Sequence, residues 1–436
     1  MWLEAIVTFA LIVSTTSTKL VNLTRHGLKK EDFFVKIQSQ IDLREVTDLI
    51  LQGNEFDSFL DCSTNLVDLR VLDLSQNHLQ RFFFLCKDEY NLQTLNVSHN
   101  KLEYIDDNAF NDRIPKLKIL DLSWNKLSVV NETMLEHFKI LEYLSLANNP
   151  INDGIHESAF WNLKALQYLN LSNISSTYFS AQIFKTLTNL SSLDLSWNPI
   201  KTIPLLPTNL IELDLSNTQI AQLPAMDLPQ LRELKLNNMY NLKVLYLNDF
   251  ENLTRLEVLS LNGSKKLIYL VMSPYNGDLL PHLRHLSVSN CGLKTLDYSL
   301  MPIIKRTPIL NLENNPWNCD CKMQWLDMLN ATRTITHDIL CRTPDQHANK
   351  KLSTIPNVEL VCDDKSSMSQ LLWLCILTLS VIIIIAAVFF LLRRPLGHWN
   401  IRRKNRDTVT YTNVDETSND LVRILAVGET VERNEE

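Results

Sequence analysis

Cysteine and asparagine carry most of the chemistry this sequence offers. Cys319 and Cys321 stand one residue apart and are followed by Cys341 and Cys362. Four thiols so spaced could form two disulfides or hold a zinc ion. Joining Cys319 to Cys321 across one residue is sterically poor, which leaves two of three disulfide connectivities open. A CxC pair in an oxidising compartment argues against zinc. Asn-x-Ser/Thr occurs at Asn22, Asn96, Asn131, Asn170, Asn173, Asn189, Asn252, Asn262 and Asn330, and nowhere beyond. These are acceptors for N-glycans if that part of the chain is secreted.

Nothing in the sequence supplies catalysis. The ten histidines are scattered, with no HExxH or other metal-ligand spacing. A chain with eight glycines contains no phosphate-cradling loop. Ser123 and Ser196 recur inside the phrase LDLSWN with no basic partner close in sequence. No nucleophile–base pair and no cofactor site follow from this. The formal charge of -7 over 436 residues also removes the basic field that nucleic-acid binding needs.

Two apolar segments set the expected topology. Ala5 to Val13, followed by a Ser/Thr run, suits a secretory signal peptide cleaved near Ser17. Leu371 to Leu392 holds 22 residues without a charge, about 33 Å as a helix and enough to span a bilayer. Arg393, Arg394, Arg402, Arg403, Lys404 and Arg406 follow it, which places the C-terminus in the cytosol and predicts a type I plasma-membrane protein. All nine sequons then fall outside the cell.

Between these segments the chain repeats. The template LxxLxLxxNxL begins at Val46, Leu69, Leu92, Leu117, Leu141 and Leu190, with weaker copies at Leu166, Leu210, Leu231, Leu256 and Leu283 and a last one ending at Trp317. That makes about twelve coils. Period-two alternation in LxL gives a short strand with its leucines inward and its x residues in solvent. The Asn, donor and acceptor at once, can satisfy backbone groups where the chain leaves the strand. No coil can bury its leucines without neighbours, so the coils must stack. The Asn position holds Ile174, Thr218, Met239, Ser264 and Cys291 in five coils. Coil steps of 20 and 21 residues approach Thr218 and Met239, near Pro204, Pro207, Pro224 and Pro229, which predicts an extended outer side and changed curvature over about 199–283. Cys291, in an Asn slot, reads as a buried free thiol. Phe110, Phe160, Phe184 and Phe250 recur on the outer side as core packing.

These motifs resemble the extracellular leucine-rich repeats of type I transmembrane receptors and adhesion proteins, with an ectodomain similar to Toll-type receptors and insect neuronal adhesion proteins. The resemblance covers about residues 46–363. It implies an α/β leucine-rich-repeat solenoid (a horseshoe) with a disulfide-bonded C-terminal cap, plus one transmembrane helix. From Asn315-Pro316-Trp317-Asn318 onward it implies the pairs Cys319–Cys341 and Cys321–Cys362. The family's N-terminal cysteine cluster is missing, since residues 20–45 have none. Cys62 and Cys86 instead occupy the outer phenylalanine slot of consecutive coils, within disulfide reach at a stacking distance of about 5 Å. The expected organisation is a signal peptide (1–19), N-terminal cap region (20–45), repeats (46–317), C-terminal cap (318–363), stalk (364–370), transmembrane helix (371–392) and cytoplasmic tail (393–436). That tail is short for a signalling domain and carries Tyr411-Thr412-Asn413-Val414, which fits a YxxΦ sorting signal through Tyr411 and Val414 and also a phosphotyrosine-x-Asn site.

Function therefore reads as binding: a cell-surface receptor or adhesion protein for a protein ligand or co-receptor, with homophilic or cis-dimer contact conceivable. An innate-immune co-receptor without its own signalling domain and an auxiliary or trafficking subunit are the alternatives. The residue between the two core leucines runs Asp73, Asn96, Asp121, Ser145, Asn170, Asp194, Asp214, Lys235 along the sheet. That polar column could meet a ligand or serve only solubility. Tyr143 and Tyr168 are neighbours beside it, and Trp124 and Trp197 stand at the rim. Glycans on Asn96 and Asn170 would cover the N-terminal half. The expected ligand site is thus Asp194, Trp197, Asp214, Arg232 and Lys235, from the seventh coil onward.

Overall fold

The computed structural model describes residues 19–32, 35, 42–59, 66–84, 89–105, 110, 113–274, 277–326, 339–362 and 365–392. Two units are distinguished, residues up to 363 and from 364 onward.

The first unit is a solenoid. Its main sheet contains β1 (Leu20–Asn22), β2 (Asp48–Ile50), β3 (Val71–Asp73), β4 (Thr94–Asn96), β5 (Ile119–Asp121), β6 (Tyr143–Ser145), β7 (Tyr168–Asn170), β8 (Ser192–Asp194), β9 (Glu212–Asp214) and β10 (Glu233–Lys235). It continues through β12 (Val258–Ser260), β14 (His285–Ser287) and β15 (Ile309–Asn311). Every neighbouring pair is parallel, each strand joined to the next coil's strand. The middle residue of each strand, a leucine in all but β1, is buried and its two flanking residues face outward, as the LxL pattern requires. β2 to β15 in this sheet are the twelve predicted coils.

β1 is an addition that the repeat template did not predict. Val21 and Leu23 are buried against coil one, and Leu20–Asn22 pairs in register with Asp48–Ile50. The cap region thus lends half a coil that covers the sheet's first edge. Cys62 and Cys86 lie outside the described residues, as do the signal segment, Asn330, Tyr411 and Val414.

The asparagine ladder is built as predicted, with a specific geometry. Asn100 Nδ2 donates to the carbonyls of Val97 and Ser98 in its own coil and of Leu74 in the preceding one. Its Oδ1 accepts from the N–H of Leu79, again one coil back. Each Asn therefore ties two coils together and satisfies buried backbone groups. Where Asn is missing, substitutes appear. Ser264 Oγ accepts from Met239 N and donates to Leu236 O. Cys291, buried, donates to Leu261 O, and burial pushes its thiol up to about 11. Opposite Ile174 the Ile151 N–H turns to Asn149 O at 2.9 Å, a local bond in place of the ladder.

On the outer side Phe110, Phe160, Phe184 and Phe250 are buried, with Phe160 and Phe184 stacked at 6.4 Å. Pro204, Pro207, Pro224 and Pro229 stand in stretches without helix or strand, as their fixed φ and missing N–H dictate. Beyond them the outer side forms a second, two-stranded parallel sheet of β11 (Val244–Tyr246) and β13 (Tyr269–Val271), which prolines alone did not foretell. At the other end β16 (Trp317–Asn318) and β17 (Cys341–Thr343) close the cap. Trp317 is fully buried with Nε1 donating to Leu312 O. Cys319–Cys341 and Cys321–Cys362 are bonded, with Cα–Cα distances of 5.6 and 5.1 Å. This is the pairing that the resemblance implied, and it commits the thiolates a zinc ion would need.

The second unit contains a helix, Lys365–Leu392. Its Leu372–Phe389 stretch is long and apolar enough to cross a membrane. The helix takes in most of the segment expected as a stalk.

Candidate concave binding face

Strand register sorts the outward residues into two columns. One runs Val71, Thr94, Ile119, Tyr143, Tyr168, Ser192, Glu212, Glu233, and the other Asp73, Asn96, Asp121, Ser145, Asn170, Asp194, Asp214, Lys235. The second is the polar column read from the repeat.

That column has a structural task beyond the two readings given for it. Asp73, Asp121, Asp194 and Asp214 each accept, through Oδ1, a hydrogen bond from the backbone N–H two residues on, at 2.8–2.9 Å. Asn96 and Asn170 do the same toward Ser98 and Ser172. The side chain closes an Asx turn that steers the chain out of the strand and into the ladder. In both asparagines the bond uses the amide oxygen and leaves Nδ2, the atom an N-glycan would require, out of it. Asn262 is engaged more fully. Its Nδ2 donates to Ser260 Oγ while Oδ1 accepts from Ser287 Oγ and from Ser289.

Among the predicted ligand residues, Asp194, Asp214 and Lys235 occupy matching positions on β8, β9 and β10. Glu212 and Glu233 join them from the other column, and the group lines one shallow depression with Tyr168 and Ser192. These two glutamates stand immediately before the LxL core, in the column where the sequence pattern singles out only Tyr143 and Tyr168. Burial, with the charge of Asp214 beside it, holds the Asp194 carboxyl above its ordinary value against the two bonds from Ser196. For Lys235 burial works against the charge, but the 3.1 Å contact with Glu233 and the nearby carboxylates outweigh it and keep the ammonium above its usual range. Four carboxylates against one lysine leave the depression acidic.

Tyr143 and Tyr168 stack face to face, centroids 4.5 Å apart and planes 1° from parallel. Burial first, then the charge of Asp121, pushes the Tyr143 phenol up to about 12. Arg232 stands apart from the group. It precedes β10, at the edge where strands begin, and pairs with Glu257 at 3.2 Å.

Trp197 sits at the opposite rim, where strands end, and is 58% exposed. The residue before each ladder position adopts a left-handed backbone conformation, and Asn148, Asn217, Asn238, Gly263, Asn290 and Asn314 suit that slot. Trp124 and Trp197 fill the same slot at φ +55° and +60°. A bulky residue held there costs about 1–2 kcal/mol. Trp124 at least stacks on His99, at 5.0 Å. Beyond Trp197, Asn217 accepts a bond from Tyr240 Oη, so the rim continues as an aromatic and amide strip.

A leucine-rich-repeat family model matches residues 90–151 and 153–200. The solenoid has the leucine-rich-repeat fold. Mouse CD180 antigen is 25% identical over 79% of this chain and 47% of its own length. Mouse Toll-like receptor 7 is 28% identical over 43% of this chain and 19% of its own. The chain thus spans less than half the length of either relative. Among solved structures, Toll in complex with Spätzle (Drosophila) aligns with 78% of this chain and 48% of its own at a TM-score of 0.51 and 20% identity, a likeness of fold. The leucine-rich-repeat domain thus offers a preformed sheet, an acidic depression on coils seven to nine and a strained tryptophan beside it.

Proposed function

We propose that this chain is a cell-surface receptor of type I topology at the plasma membrane. The Lys365–Leu392 helix anchors it, glycans cover the N-terminal half of its concave face, and coils seven to nine bind a protein partner through a basic patch on that partner. Trp197 carries the reading. A tryptophan kept exposed in a backbone slot that asparagine fills at lower cost marks a position retained for contact rather than for folding. The acidic depression beside it supplies charge complementarity, which sets partner choice and association rate. Binding, not catalysis, is the activity.

A second reading, an innate-immune recognition co-receptor, is supported by the likeness to Toll-like receptor 7. The two share the site and differ in the partner.

Cells displaying the full-length chain can be screened with purified cell-surface and microbial proteins. A partner whose binding falls at least tenfold with Glu212→Lys/Glu233→Lys and is unchanged with Thr94→Lys supports the site. Partners indifferent to the glutamates would refute it, and the identity of the partner separates the two readings.

A further inference from the structure

The outer flank of coils nine to eleven has the reverse character of the concave face. Leu245 and Leu270 of β11 and β13 point into the core, while Tyr246, Tyr269 and Val271 face outward, both tyrosines exposed. Coils ten and eleven touch at Gly292, whose N–H donates to Leu267 O at 3.0 Å. A Cβ at Gly292 would lie 2.5 Å from Lys265 O, so no other residue allows that approach. Past Gly292 the coils part. A cavity of about 490 Å³ opens between Tyr269–Met272 and Thr295–Ser299, with Lys322 of the cap on its wall. The step from Ser264 to Cys291, 27 residues, is the longest in the array.

Regular stacking would place Thr295–Asp297 against β13 as a third strand. Leu293 and Leu296 are buried with the same spacing as Leu267 and Leu270 one coil back. The cap draws that segment away, however. Lys294 O accepts from Asn318 N at 2.7 Å, and Leu296 O from Trp325 Nε1 at 3.3 Å. Main-chain groups alternate sides along a strand. Since Tyr269 N bonds to Lys243 O of coil nine, the N–H and C=O of Leu270 face the cavity. Among the described residues no hydrogen bond reaches them. Lys322 lines the cavity, and Lys266 and Lys294 shortly precede the two segments that flank it; all three are exposed, none in an ion pair with a described residue. Asp297, also on the cavity wall, accepts from the N–H of Ser299 and keeps its negative charge, one carboxylate against these lysines.

We propose that this flank is a second docking surface, distinct from the concave face, and that it takes an extended acidic peptide segment of a protein partner as an added strand on β13. The segment's main chain pairs with Leu270. One apolar side chain enters the cavity between Tyr269 and Tyr298, and acidic side chains meet the lysines. Main-chain pairing supplies affinity, and the cavity and lysines supply selectivity. A sulfated glycan would satisfy the lysines but would leave both the strand edge and the apolar cavity empty.

The test uses the full-length protein in detergent micelles and a fluorescent octapeptide alternating Glu with Val or Phe. Binding is read by anisotropy, and protection of the Leu270 amide by hydrogen exchange. The expected result is saturable binding that protects Leu270. It weakens at least tenfold with Lys266→Glu/Lys294→Glu/Lys322→Glu, whose melting temperature is unchanged, and at least tenfold when alternate peptide nitrogens are methylated. No binding of the peptide, or equal binding of the methylated peptide, overturns strand addition. Heparin fragments displacing the peptide while Leu270 stays unprotected would identify the flank as a glycan site instead. Concave-face variants are silent in this assay, so its failure leaves the first site standing.

Discussion

Asn198 offers a quantitative check on how the coils are held together. It is fully buried in coil seven. Its Nδ2 donates to Leu171 O at 2.7 Å, Leu195 O at 3.0 Å and Ser196 O at 3.2 Å, and its Oδ1 accepts from Ile174 N and Ser176 N at 3.2 and 3.1 Å. Asn198→Leu keeps the branching of the side chain, is bulkier, and removes all five bonds. Stranding the two amide groups alone costs about 1–3 kcal/mol each, and part of this is returned by the leucine's apolar surface. A net loss of about 3 kcal/mol or more is predicted. At Ile174, where Ile151 N already bonds to Asn149 O, Ile174→Val should cost only about 1 kcal/mol. Urea unfolding followed by tryptophan fluorescence gives both numbers, and hydrogen exchange at Ile174 and Ser176 localises the first. A loss below 1 kcal/mol in Asn198→Leu, or unchanged exchange at those amides, would refute the ladder as the inter-coil tie.

Other consequences follow from single residues. Cys291 is buried with its thiol pushed up to about 11, so iodoacetamide should leave it untouched in the native protein and alkylate it in urea; native labelling would contradict the assigned packing. Cys62 and Cys86 are proposed to be bridged, and a non-reduced peptide map showing both as free thiols would remove that cap device. Asp194 has a raised folded-state pKa, mainly from burial, so the fold favours its protonated form. Its contribution to stability is full below the unfolded value and lost as pH rises through the folded one. Binding of a basic ligand should run the other way, weakening on acidification at a pH above the ordinary 3.8, and Asp194→Asn should abolish that part of the profile. A pH profile unchanged in Asp194→Asn would exclude this carboxylate from the contact.

The repeat was legible because its parts recur: each inward leucine, ladder asparagine and outer phenylalanine confirms the others. Features that occur once were harder to read. The LVNL start of the first half-coil has His26 where a ladder asparagine would announce it, and β11 and β13 carry no motif separable from the short coils around them. The cavity beside β13 arises because the cap draws Thr295–Asp297 away, a tertiary competition invisible in local sequence. At the candidate site, register and column were readable from LxL, and so was the Tyr143–Tyr168 neighbourhood. What sequence could not supply was the Asx turn, which gives every aspartate of that column a reason to exist without a ligand. Nor does sequence reveal that Trp197 occupies a left-handed slot, where the residue type becomes informative.

A protein-binding site on coils seven to nine of a glycan-restricted face predicts different outcomes for two variants titrated against one partner. Full-length Trp197→Ala and Asn96→Gln/Asn170→Gln are displayed on cells and titrated with a partner found by surface screening. Truncating an interface tryptophan costs about 2 kcal/mol or more, so Trp197→Ala should bind roughly thirtyfold more weakly. The double sequon variant should bind as the wild type does. Full affinity in Trp197→Ala, or much tighter binding once both sequons are gone, would place the site on the N-terminal half and contradict the account.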